Sequence, residues 1–116
     1  MRDMVKVFKA LSDGTRLRIL NILLERECCV CEVMQVLEIS QPSASRHLSA
    51  LHEAGLLKSR KEGTWQNYSI DLESMPEYAR DIVRALGRAF EDSPPALADR
   101  HRLGKTVKQG LSCASA

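Results

Sequence analysis

The stretch that most constrains the fold is Ser40-Gln41-Pro42-Ser43-Ala44-Ser45-Arg46-His47-Leu48-Ser49-Ala50-Leu51-His52-Glu53-Ala54-Gly55. It reads as one helix punctuated at both ends. Ser40 is an N-cap residue whose hydroxyl can accept the free amide of Ser43. Pro42 sits in the first turn, where its fixed φ and missing donor cost little, and Gly55 supplies the left-handed residue that stops the helix. Ala44, Leu48 and Leu51 recur at i, i+4, i+7 as one narrow apolar stripe. The opposite face carries Ser43, Ser45, Arg46 and Ser49. A solvated face ordinarily mixes Glu with Lys. A small, serine-rich face with one long cation suits a helix that sinks into the major groove of a duplex, where bulky or acidic side chains would keep it out. Alone, this stretch is more simply a capped amphipathic helix packed on a small domain; the flanking sequence changes the reading.

Upstream, residues 1–10 read as a short helix with Met4, Val7, Phe8 and Leu11 on one side. Ser12-Asp13-Gly14 breaks it, and Asp13 can cap the next helix. From Thr15 to Glu25 the pattern is apolar nearly all round, which predicts a helix buried at the centre of the domain. Val30, Val33, Met34 and Leu37 mark a short third helix, and the brief Glu38-Ile39 link makes it the first half of a helix-turn-helix. Downstream of Gly55, residues 57–61 and 65–70 alternate like strands around Glu62-Gly63-Thr64, a β-hairpin with Gly at its tip. Ser74-Met75-Pro76-Glu77 reads as a capping box. It opens a helix to about Glu91, with Ala79, Ile82, Val83, Leu86 and Phe90 on one face. Asp92-Ser93-Pro94-Pro95 ends that helix, and residues 92–116 read as a flexible C-terminal tail.

The expected fold is therefore mainly α with a β-hairpin: a winged helix-turn-helix over residues 1–91, followed by the tail. In this order the buried second helix supports the two-helix reader, and the hairpin projects as a wing over the nucleic-acid backbone. Gln41, Ser43, Ser45, Arg46 and Ser49 on the reader, with Lys61, Thr64 and Gln66 around the wing tip, are the candidate DNA contacts. Cations on the wing, where Lys58 and Arg60 also lie, would touch phosphates and add affinity without sequence information. The first and last helices have apolar faces with no internal partner large enough for both, which predicts a homodimer through these helices. Two-fold symmetry then spaces the reader helices roughly 34 Å apart on a palindromic site.

Composition agrees without deciding. A chain of 116 residues supports one core and a dimer face. A net charge of +2 is too small to diagnose nucleic-acid binding. The 4% aromatic content argues against stacking platforms for single strands. No apolar run reaches membrane-spanning length and the N-terminus lacks a signal-peptide core, so the expected compartment is the cytoplasm. No glycine-rich phosphate loop, nucleophile elbow or carboxylate pair in a pocket-forming context points to an enzyme.

Phe8-Lys9-Ala10-Leu11-Ser12-Asp13 and Thr15-Arg16-Leu17-Arg18-Ile19-Leu20 resemble the opening of the ArsR/SmtB family of metal-responsive repressors. So do Ser40 to Leu48, then Leu51, Ala54-Gly55-Leu56 and the hairpin with Gly63. Cys29-Val30-Cys31-Glu32-Val33 is similar to the cysteine box of the arsenic-sensing branch. The resemblance implies a homodimeric repressor of a detoxification operon, with no cofactor in the DNA-bound state, that leaves its operator when an inducer binds.

Three of the four cysteines, Cys28, Cys29 and Cys31, crowd into four residues, with Cys113 near the end. Thiolates select soft centres, and As(III) or Sb(III) takes up to three sulfurs. At a helix N-terminus near Arg26, lowered thiol pKa values are expected, with Glu27 and Glu32 opposing. Residues i and i+2 of a helix point roughly 200° apart, so a shared ligand on Cys29 and Cys31 would have to unwind the start of the third helix. The best-known sensors of this branch carry a third cysteine three residues after the pair, where this chain has Met34. Cys28 is then the candidate third ligand, Cys113 its competitor, and a two-sulfur site a further possibility. Sensing of cadmium, lead or zinc, or of thiol oxidation, is the alternative on the same scaffold. The last helix lacks the paired His and carboxylates of zinc-sensing relatives, and the first ten residues hold no cysteine of the kind used by the cadmium and lead branch.

Overall fold

The computed structural model describes residues 1–107. Its elements run α1 (Arg2–Leu11), α2 (Gly14–Glu25), β1 (Cys28–Cys29), α3 (Val30–Leu37), α4 (Gln41–Glu53), β2 (Leu57–Glu62), β3 (Trp65–Ile70), α5 (Glu77–Glu91) and α6 (Pro94–Leu103). This is a winged helix-turn-helix. α2 is the buried centre, with Ile19, Leu20, Ile22 and Leu23 enclosed, and Asp13 caps it by accepting from the Arg16 amide at 3.1 Å.

The link from α3 to α4 turns on Glu38, whose φ of 55° is a left-handed C-cap. Ser40 then accepts from the Ser43 amide at 3.3 Å to begin α4. Ala44, Leu48 and Leu51 are fully enclosed, and Gly55 takes φ +85° just beyond the helix. Burying a leucine contributes about 1.5–3 kcal/mol, so this stripe anchors the reader helix to the core.

The wing is a tight hairpin paired from Leu57↔Ile70 to Glu62↔Trp65. Gly63, at φ +62°, occupies the first of two turn positions, where left-handed backbone suits glycine. A third strand was not expected. β1 pairs antiparallel with β3, Cys28 opposite Tyr68 and Cys29 opposite Asn67, giving the order β1-β3-β2. The wing is thus hydrogen-bonded to the segment that carries the cysteines.

Two expectations are corrected. Residues 94–103, assigned to a flexible tail, form α6, which is docked on α2 and α3. Ser93 caps it by accepting from the Ala96 amide at 3.4 Å, with Pro94 in the first turn. Docking rests on few apolar residues, chiefly Leu103 and Ala96, and on a polar seam. Buried Asp99 accepts from Arg18 at 2.8 and 3.0 Å and also pairs with Arg102. Asn21, buried within α2, donates to the Ala96 carbonyl and accepts from Arg100, both at 2.8 Å. The second correction concerns Ser74, which does not cap α5. Pro76 is the N-cap residue, and the Ser74 amide instead donates to Asp71 Oδ1 at 3.4 Å.

Candidate nucleic-acid interface and thiol site

Because the apolar stripe of α4 faces inward, its small polar face looks outward. Arg46 and Ser49 are exposed, while Gln41, Ser43 and Ser45 are half-buried. Gln41 Nε2 donates to Ser45 Oγ at 2.7 Å, holding two candidate readers together one turn apart. His47 is a brace: its Nδ1 accepts from Arg16 Nε at 3.2 Å, tying α4 to α2. On the wing, Lys61 and Thr64 are exposed at the tip, with Gln66 half-buried beside them. Among the described residues Arg46, Lys58 and Lys61 make no ion pair. Arg60 is different. It donates from Nε and Nη2 to the two carboxylate oxygens of Glu27 at 2.9 and 2.6 Å, so that cation fastens the wing to the cysteine segment.

The thiol cluster divides along the strand. Successive residues of a strand face opposite sides, so Cys28 and Cys29 part company within β1. Cys28 faces the main core, where burial, reinforced by the Glu32 carboxylate, pushes its thiol up to about 12. This corrects the expectation of a lowered pKa for Cys28, because the nearby Arg26 is outweighed. Cys29 turns the other way and packs with Cys31 and Trp65 in a small separate cluster.

Cys29 and Cys31 are joined as a disulfide with Cα atoms 5.4 Å apart. The i, i+2 geometry does not separate them because only one is helical. Cys29 is the N-cap of α3, extended at φ −83° and ψ 166°, and Cys31 lies inside the helix. The two sulfurs therefore meet without the unwinding that two helical positions would require. Of the three expected ligands, the structure brings Cys29 and Cys31 together and sends Cys28 elsewhere, while Cys113 lies outside the described residues. Among those residues, no group of three or more His, Cys, Asp or Glu side chains is arranged to hold a metal ion.

The turn bearing this pair is held by Glu32. Its Oε1 accepts from the Cys29 amide at 2.9 Å, and its Oε2 lies 2.8 Å from Arg26 Nη2. Thr106, just past α6, donates its hydroxyl to Oε2 at 3.2 Å. Burial acts to raise the Glu32 pKa, but these three partners outweigh it and keep the carboxyl below its ordinary value.

Two further residues complete this face, and neither stands out in the sequence. Trp65, the chain's one tryptophan, packs against the sulfurs. Asn67, directly across from Cys29 and two residues from Trp65, shares their side of the sheet. It is 1% exposed, and neither amide atom has a hydrogen-bond partner among the described residues. An orphaned buried amide costs about 1–3 kcal/mol and is uncommon in native structures.

The chain is 40% identical over 111 residues to the arsenic resistance transcriptional regulator ArsR1 of Pseudomonas putida, an alignment covering 93% of this chain and 85% of that one. The chain belongs to the ArsR family. The family profile described as a bacterial regulatory protein of the arsR family matches residues 13–59, which run from the α2 cap through the cysteines and the reader into the wing. The arsenical resistance operon repressor of Escherichia coli is 39% identical over 94 residues, covering 80% of each chain. Among solved structures, the homodimeric winged helix-turn-helix DNA-binding domain of a possible ArsR-family regulator from Mycobacterium bovis matches with a TM-score of 0.65. It is 29% identical and covers 80% of this chain and 82% of that one. For this ArsR-family chain, family and fold are those of DNA-binding transcriptional regulators, which are not enzymes. No helix among the described residues is long and apolar enough to cross a membrane.

Proposed function

We propose that this ArsR-family chain is a homodimeric repressor that occupies the palindromic operator of an arsenic-resistance operon and leaves it when As(III) or Sb(III) binds Cys29 and Cys31. One observation carries the reading. The two sulfurs meet at the first turn of α3, against the wing residue Trp65. A ligand there touches both the helix that packs on the reader and the hairpin that flanks it. The names of the two relatives, an arsenic resistance regulator and an arsenical resistance operon repressor, support the choice of inducer.

In the reduced protein, each thiol that replaces a hydroxyl of arsenous acid releases one water, so closing the chelate forms two As–S bonds and two waters. Soft thiolates favour such centres over hard cations. Cys28, buried on the opposite face as a high-pKa thiol, is left out of the pair. Gln41, Ser43, Ser45 and Ser49 face base edges in this scheme. Arg46 and Lys61 neutralise phosphates, and Thr64 and Gln66 add backbone contacts. Met4, Val5 and Phe8 on α1, exposed at 39%, 50% and 57%, pair with their copies alongside α5; that the similar Mycobacterium bovis domain is homodimeric supports a dimer. The reducing cytoplasm, the proposed compartment, keeps the thiol pair open.

The Cys29–Cys31 disulfide supports a second reading, release by oxidation. Hydrogen peroxide taking two electrons and two protons from the pair would yield the disulfide and two waters.

A gel shift on upstream DNA tests both, with arsenite, antimonite, cadmium, zinc and peroxide added in turn to the reduced protein. Arsenite is expected to weaken operator affinity by about 5- to 150-fold and to leave the Cys29→Ser, Cys31→Ser protein bound. Release of that double variant by arsenite overturns the proposal. Release by peroxide as efficient as by arsenite favours the second reading.

A further inference from the structure

We propose that Asn67 is a ligand-contacting residue of the thiol site, and that the third position on the bound metalloid is an oxygen held by its carboxamide rather than the Cys28 sulfur. This rests on the reading of Cys29 and Cys31 as the binding pair. Arsenous acid carries three hydroxyls. Two leave as water when the thiols bind, and one stays on the arsenic. That oxygen needs hydrogen-bond partners in a site walled by an indole and two sulfurs. Cys28 cannot serve as the third ligand, because strand alternation turns it to the other face of β1.

Asn67 meets the need on three counts. It is the cross-strand neighbour of Cys29, on the same side of the sheet. It is enclosed at 1% exposure. Its donor and its acceptor both lack partners among the described residues, so each is available to an As–OH group that both accepts and donates. A ligand oxygen at the sulfurs would complete the hydrogen bonds that this enclosed amide lacks.

The test compares arsenite with phenylarsine oxide, whose hydrate loses two hydroxyls to the same thiols but keeps a phenyl carbon in the third position. Binding to the reduced full chain is read from the fluorescence of Trp65, which packs against Cys29 and Cys31. Asn67→Val is expected to lose about 10- to 100-fold in arsenite affinity with phenylarsine oxide affinity unchanged. Asn67→Ser, which puts a hydroxyl donor and acceptor in place of the carboxamide, recovers part of the loss and serves as the measurement if the valine protein does not fold. Unchanged arsenite affinity in both variants overturns the assignment. So does a parallel loss for both compounds, which marks Asn67 as merely structural. If Cys29→Ser, Cys31→Ser binds both compounds like the parent, the thiol reading itself has failed, and this inference with it.

Discussion

Glu32 ties together the parts of the protein that the proposed switch has to coordinate, and its replacement tests that arrangement. Its side chain caps the Cys29 amide, pairs with Arg26 and accepts from Thr106 beyond α6. In Glu32→Ala the Cys29 amide, buried with its residue, loses its acceptor, at about 1–3 kcal/mol. The broken pair with Arg26 adds less, about 1 kcal/mol, because that guanidinium is 42% exposed and partly screened by water. The sum is about 2–4 kcal/mol, roughly 8–15 °C in Tm for a domain of this size. Glu32→Gln keeps an acceptor for the Cys29 amide and is expected to cost only about 1 kcal/mol. The assay is thermal unfolding of the reduced chain at one fixed protein concentration, since dimers melt with concentration. The carboxyl is held below its ordinary pKa, so its charge-dependent contribution is fully present above the unfolded value of about 4.3. That contribution is lost as pH falls through the lower folded value, so the gap between parent and Glu32→Gln closes in acid. A Glu32→Ala protein as stable as the parent, or indistinguishable from Glu32→Gln, refutes the reasoning.

Three other outcomes are expected. Asp99→Ala, which empties the seam under α6 and leaves two half-exposed arginines free to reach water, should destabilise by about 2 kcal/mol in urea unfolding, below the 3–5 kcal/mol of a fully enclosed pair; no change would mean that α6 is not anchored there. Arg46→Ala and Lys61→Ala should each lower the slope of log affinity against log salt by about 1 for every phosphate left unneutralised on each subunit, measured by anisotropy on operator DNA. Phe8→Glu sets a charge into the exposed face of α1, and sedimentation should then report the 13.0 kDa species instead of the dimer; an intact dimer would remove α1 from the interface.

The reader helix was legible because its signals are local: a serine cap, a first-turn proline, a stripe at helical spacing and a glycine stop. The hairpin was legible for the same reason. α6 escaped because Ser93-Pro94-Pro95 both ends α5 and begins the next helix, and because that helix docks through Asp99, Arg100 and Arg102, whose charges look like solvated tail. The thiol site was half legible. Crowded cysteines mark the place, but which of them converge depends on β1, a strand of two residues, too short for any alternation to register. Once β1 is paired with β3, parity alone sends Cys28 inward and joins Cys29 to Asn67. Nothing in the chain around Asn67 marks it beforehand, since its role follows from a pairing across nearly forty residues of sequence.

The Glu27–Arg60 clasp and the β1–β3 ladder make the wing a lever with its short arm at the sulfurs. Linkage is reciprocal: if metalloid on the sulfurs loosens the duplex, the duplex must loosen the metalloid by the same factor. Operator DNA then acts as an antagonist of arsenic capture, and a repressor seated on its site answers only to a higher dose than its free sister in the same cell.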